Sequence, residues 1–140
     1  MKYLTIIIMI MITFSSCSAG KKKPQSTPDK IVVSYSKGRC LGKCPVYDLH
    51  IYDSGRMVYN GLDNVSKKGI YKSTISLDTL KRITSLMRYV TPKEIGEIPG
   101  RDLPLTVLKV HDKKVVYQAL RINGNLLDIN TLIEGIVNNI

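Results

Sequence analysis

The stretch "VYDLHIYDSGRMVYNG", residues 46–61, sets the architecture of everything around it. From Val46 to Tyr52 the side chains alternate, with Tyr47, Leu49 and Ile51 on one side and Asp48, His50 and Tyr52 on the other. That two-residue period belongs to a strand with one buried face. "DSG", Asp53 to Gly55, is turn chemistry, and Arg56 to Asn60 resumes the strand pattern, so the segment predicts an antiparallel hairpin. Gly61 and Asn64 then mark a loop.

Outward from the hairpin the same logic adds a strand on each side. Ile31 to Ser36 sets Ile31, Val33 and Tyr35 against Val32, Ser34 and Ser36, and Gly69 to Ser76 presents Tyr71, Ser73 and Ile75 together. Four strands in succession predict a meander. Ser76 is a suitable N-cap for a helix from Leu77 to about Val90, on which Leu80, Ile83, Leu86, Met87 and Val90 form one apolar stripe and Pro92 stops the run. After a long connection, residues 92–104, Leu105 to Val110 and Val115 to Leu120 predict a second hairpin across Asp112, Lys113 and Lys114. A helix from about Leu126 closes the chain, with Ile129, Leu132, Ile133, Ile136, Val137 and Ile140 on one face that should pack on the domain. Strands in runs with helices after them, ββββα then ββα, make the fold class α+β: an antiparallel sheet of about six strands with both helices on one face.

The first thirty residues are of a different kind. Lys2 precedes an apolar run from Leu4 to Phe14, too short for a bilayer, which needs ~20 residues, and small residues follow. This is the layout of a cleaved secretory signal over residues 1–16. "FSSC" resembles the lipobox of bacterial lipoproteins, and the resemblance implies cleavage before Cys17 and acylation of that cysteine. Several acyl chains anchor a protein stably to a lipid bilayer. Ser18 is not the aspartate of an inner-membrane retention signal in enterobacteria, which favours the outer membrane. Lys21, Lys22 and Lys23 stand where surface-exported lipoproteins of the Bacteroidota tend to carry acidic residues, which favours the periplasmic side. Residues 17–30 read as a flexible basic tether, its lysines either lying against anionic head groups or simply solvated. The domain then occupies residues 31–140, one hydrophobic core in length.

The formal charge of +10 is not a nucleic-acid signature once it is divided. Five lysines against Asp29 precede residue 31, and the domain itself holds 16 basic and 10 acidic residues, scattered with no aromatic-basic stripe.

Three cysteines are an odd set, and lipidation of Cys17 would leave Cys40 and Cys44 in "GRCLGKCPVY" as a pair in an oxidising compartment. A structural disulfide is the favoured reading, with Gly38 and Gly42 supplying freedom for a tight ring and Pro45 stiffening its exit. Two alternatives stay open. A redox centre normally has C-x-x-C at a helix start, and here the spacing is one longer and a strand follows. A metal site would need more ligands than two thiolates, unless a soft ion such as Cu(I) is held; His50 and His111 lie at no recognised ligand spacing from the pair.

The stretch "CLGKCPVYDLHIYDSGRMVYNG" also resembles the C-x-G-x-C-P-x-Y and G-x-V-x-Y-x-G signature of the domain of unknown function 6438, found in Bacteroidota envelope lipoproteins. Cys40, Gly42, Cys44, Pro45, Tyr47, Gly55, Tyr59 and Gly61 fall on it, Gly69 and Tyr71 continue it, and Asp102, Leu103 and Pro104 match a later T-D-L-P segment in which Arg101 replaces the threonine. The resemblance implies an α+β envelope lipoprotein and brings no activity, cofactor or catalytic residue.

No G-x-S-x-G, H-E-x-x-H or phosphate-cradling glycine loop occurs. The favoured function is therefore a non-enzymatic module, binding an envelope protein, a glycan or a small ligand through loops 38–45 and 92–104. Arg39, Lys43, Tyr47, Arg101 and Asp102 are the candidate binding residues. The competing expectation is a thiol-disulfide protein with Cys40 and Cys44 tuned by Asp102 or Lys43, against which Asp102 reads more simply as a turn residue capping amides. A third is a structural lipoprotein in which Tyr35, Tyr47, Tyr59, Tyr71 and Tyr117 are partly buried strand residues that stabilise the sheet.

Overall fold

The computed structural model describes residues 29–98, 100 and 102–140. The expected signal segment over residues 1–16, Cys17, most of the expected tether over residues 17–30, and Arg101 lie outside the described residues. The described residues form six strands: β1 (Ile31–Lys37), β2 (Val46–Tyr52), β3 (Arg56–Asp63), β4 (Gly69–Thr74), β5 (Leu105–Val110) and β6 (Lys113–Gln118). Two helices, α1 (Leu77–Tyr89) and α2 (Gly124–Asn138), and a 3-10 turn at Pro92–Glu94 complete the elements.

The strands form one antiparallel sheet in the order β4-β3-β2-β1-β5-β6. The meander grows away from β1 and leaves one of its edges open. Helix α1 then carries the chain back across the sheet, so that β5 closes that edge with Tyr35 opposite Leu108. One face is covered. Val33, Tyr35, Leu49, Ile51, Leu108 and Tyr117 are buried with Leu80, Ile83 and Met87 of α1 and Leu126, Ile129 and Ile133 of α2 in a single cluster. Burial of each large apolar side chain contributes about 1.5–3 kcal/mol. The α+β class, the element order and the packing of both helices on one face are as the sequence predicts. No helix among the described residues is long and apolar enough to cross a membrane.

The departures are local and have physical reasons. β3 runs on to Asp63, past the expected stop at Asn60, because Gly61 pairs with Gly69 and its missing side chain admits the backbone of Lys67, whose carbonyl a Cβ would strike. β4 ends at Thr74 and not Ser76. The second hairpin turns on His111 and Asp112 alone, so β6 begins at Lys113, two residues earlier than expected, and ends at Gln118. Two lysines at a strand start argue for a turn by composition, yet Lys113 sends its ammonium over the covered face. It donates to the carbonyls of Met87 at 2.9 Å and Val90 at 2.7 Å, capping the C-terminus of α1, where the helix dipole favours a cation. Ser76 caps the other end of α1 as expected, accepting from Thr79 N at 3.1 Å.

Helix α2 starts at Gly124, and its cap comes from far away in sequence. Glu94 accepts from Leu126 N at 2.9 Å and from Thr91 N at 3.2 Å. Gly124 has φ +58, a backbone conformation that side chains strain, and a Cβ there would press on that carboxylate at 3.0 Å. Burial opposes ionisation of Glu94, but the backbone donors of Leu126 and Thr91 outweigh it and hold its pKa below the ordinary value.

Candidate functional site

Cys40 and Cys44 are joined in a disulfide with their Cα atoms 5.9 Å apart. The ring is tied to the sheet on both sides. Gly38 N donates to Leu105 O at 2.8 Å, and Asn64 Nδ2 donates to Cys44 O at 3.2 Å. On the β5 side a hollow of about 290 Å³ is lined by Arg39, Cys40, Leu41, Leu103 and Leu105. Leu41, at the tip, is 79% exposed. The stapled loop and the end of the long connection, two separate candidate surfaces in the sequence, therefore meet. Asp102 lines a different, smaller hollow with Gly100 and Gln118, whose Nε2 donates to Gly100 O at 2.7 Å. Lys43 is exposed on the ring.

Tyr47, expected beside these residues, is instead turned to the covered face. There it belongs to a cross-strand row of four tyrosines, Tyr35, Tyr47, Tyr59 and Tyr71, whose ring centroids are spaced 6.0, 5.4 and 6.3 Å apart. Tyr35 and Tyr117 are fully buried and Tyr47 and Tyr59 nearly so, more than the partial burial expected of them, and of these five tyrosines only Tyr71 on the edge strand is exposed, at 38%. The register pairs Tyr59 directly with Tyr71, while Tyr35 and Tyr59 both stand opposite Leu49, so Tyr47, two residues before Leu49, meets each of them diagonally on the same face.

The row leads to a carboxylate on α2. Glu134 Oε1 accepts from Lys37 Nζ at 2.6 Å and from the Tyr35 hydroxyl at 2.7 Å, while Oε2 accepts from the Tyr47 hydroxyl at 3.0 Å. One turn earlier, Asn130 Oδ1 accepts from the Tyr117 hydroxyl at 3.0 Å. Burial opposes ionisation of Glu134, but the Lys37 ammonium and the hydroxyl of Tyr35 hold its pKa below the ordinary carboxylate range, with Tyr47 assisting. Burial first, and neighbouring tyrosines and the Glu134 charge after it, push Tyr35 and Tyr47 upward. The cluster is thus an ionised acceptor held by protonated donors.

Glu134, Tyr47 and Tyr59 line a hollow of about 230 Å³ between the sheet, the β3–β4 loop and the last turns of α2. Asn64, Ser66, Lys67 and Asn138 supply further polar groups on its walls. Lys67 Nζ donates to Ile140 O and lies 5.7 Å from the Tyr71 ring. Pro45, just after the staple, lines this hollow, and Cys40 of the staple lines the apolar one.

Glu134, Asn130 and Lys37 are the residues that the sequence reading missed. A signal for the first two existed: Asn130 and Glu134 are four apart, the spacing that puts two side chains on one helix face, here beside Ile133. Lys37 carried none, because its role depends on α2 folding back over the end of β1. His50 and His111 line a hollow at the other end of β1, where His111 N donates to Val32 O at 2.9 Å, so the structure does not bring them to the cysteines.

A family model described as "Domain of unknown function (DUF6438)" matches residues 31–137. No curated protein and no solved structure matches the chain.

Proposed function

The chain belongs to this family, and we propose that it is a non-enzymatic binding module whose ligand is a hydroxyl-rich saccharide unit of the cell envelope. The observation that carries this reading is the hollow at Glu134. A fixed carboxylate, tyrosine hydroxyls, two amides, a serine and a lysine converge there beside aromatic rings. Saccharides present many hydroxyls and apolar ring faces, and a small set of placed polar groups among aromatic walls is how concave sites orient such ligands. The stapled ring acts as a brace: a rigid wall loses less freedom when a ligand settles against it. In the same proposal, residues 1–16 are a signal peptide, acylated Cys17 anchors the chain in the outer membrane facing the periplasm, and residues 17–30 set its reach.

Two-dimensional NMR of the full chain, titrated with saccharides released from peptidoglycan and lipopolysaccharide, tests the site. Saturable shifts at Asn64 to Lys67, Tyr59 and Asn138 are expected. Shifts confined to other surfaces, or none across the panel, would overturn it. Mass spectrometry of the chain recovered from membranes tests the anchor: acylated Cys17 at the N-terminus supports it, and a chain retaining Met1 with free Cys17 sinks it. The competing thiol-redox role is decided by the reduction potential of Cys40–Cys44, which for a structural bond falls below about −300 mV.

A further inference from the structure

We propose that the open face of the sheet carries, at the end where residue 30 joins β1, a binding site for a phosphate group. The strand register builds it. Ser34 on β1 pairs with His50 on β2 and with Lys109 on β5, so an imidazole, a hydroxyl and an ammonium stand in one row across three adjacent strands. Directly paired side chains on one face lie about 5 Å apart at Cβ, close enough to hold one tetrahedral ion between them. His111, on the β5–β6 turn, and Lys30, just before β1, line the same hollow of about 320 Å³.

The balance of charge in this hollow favours an anion. Lys30 and Lys109 make no ion pair among the described residues, whereas Lys37, Arg56, Lys68 and Lys81 all do. Asp112 is the single carboxylate on the rim. The next row down the sheet behaves differently: Ser36 donates to Asp48 at 2.6 Å and is satisfied within the protein. Two further observations mark this hollow as unfinished. His50 Nδ1 is buried without a hydrogen-bond partner among the described residues, an arrangement that costs about 1–3 kcal/mol. His111 has φ +51 at the first position of a two-residue turn, where a non-glycine residue adds strain. Such costs persist where the surroundings, or a ligand, return them. A phosphate group accepts from several converging donors at once, and charge-assisted contacts of this kind are the strong ones.

The group can come from two sources, a soluble phosphate compound or the head group of a phospholipid beneath the domain. The site lies at the opposite end of β1 from the staple and does not depend on the saccharide reading. The test titrates the full chain with inorganic phosphate, using sodium chloride at matched ionic strength as the control, and follows the histidine ring signals by NMR. A saturable shift of His50 and His111 with phosphate alone is expected. Lys109→Glu should weaken binding at least ~10-fold, the loss of one charge-assisted contact. Ser34→Ala should weaken it more modestly, Asp112→Asn should tighten it, and Lys72→Glu, an exposed strand lysine outside the hollow, should leave it unchanged. A second arm measures binding to vesicles of phosphatidylcholine with and without phosphatidylglycerol. Loss of the phosphatidylglycerol-dependent part in Lys109→Glu identifies the head group as the source, and an unchanged vesicle signal beside lost phosphate binding identifies a soluble compound. If chloride shifts the rings as phosphate does, or if Lys109→Glu and Lys72→Glu behave alike in both arms, the assignment is wrong.

Discussion

Replacing Glu134 with glutamine isolates the charge that holds α2 against the tyrosine row. The substitution keeps the shape and one acceptor oxygen, and removes the negative charge that Lys37, Tyr35 and Tyr47 approach at 2.6, 2.7 and 3.0 Å. A hydrogen bond to a charged group contributes about 1.5–3 kcal/mol against about 1 for a neutral one, so three such bonds lose about 3 kcal/mol together. The Glu134 side chain is 27% exposed, and screening by water reduces the loss to about 2 kcal/mol. In a domain of this size that lowers Tm by roughly 8 °C. Urea unfolding followed by circular dichroism reads the difference directly, and Lys37→Met, alone and combined with Glu134→Gln, completes a double-mutant cycle. Acid supplies a second axis. The folded pKa of Glu134 lies below the ordinary 4.5, so its contribution is fully present above the unfolded value and disappears as pH falls through the folded one. The gap between wild type and Glu134→Gln should therefore be constant near neutrality and close below about pH 4.5. A variant within about 0.5 kcal/mol of wild type at neutral pH, or a gap that ignores acidification, would refute this account of the cluster.

Three further outcomes follow from the same structure. Cys40→Ser with Cys44→Ser should cost about 2 kcal/mol, the loop entropy of a five-residue ring, while the buried cluster stays intact by near-UV circular dichroism. Gly61→Ala should cost more than about 2 kcal/mol, or shift the β3–β4 loop visibly by NMR, because a Cβ there meets the Lys67 carbonyl. Glu94→Ala should unfasten the first turn of α2, costing about 1–2 kcal/mol and releasing the Leu126 amide to faster hydrogen exchange; unchanged Leu126 protection would count against it as the cap.

Most of the frame was present in the order of side chains. Alternation at residues 46–52 and 105–110 and the stripe from Leu80 to Val90 give the same strands and helix by period alone, because burial of one face is a local demand repeated along the chain. The cysteine pair and its glycines also marked the ring that forms. Strand ends were less legible: Gly61 and Lys113 look like loop residues by type, and become strand residues only because Lys67 and the end of α1 sit where they do. Local pattern thus determined the class of fold, the covered face and the staple. The partnerships that make a site, Glu134 with Lys37 and the tyrosines, Glu94 with α2, Ser34 with His50 and Lys109, join positions 16 to 99 residues apart. Contacts at such separations leave no periodic trace in the chain, since only the folded sheet and the helix laid over it fix which side chains come within hydrogen-bonding reach.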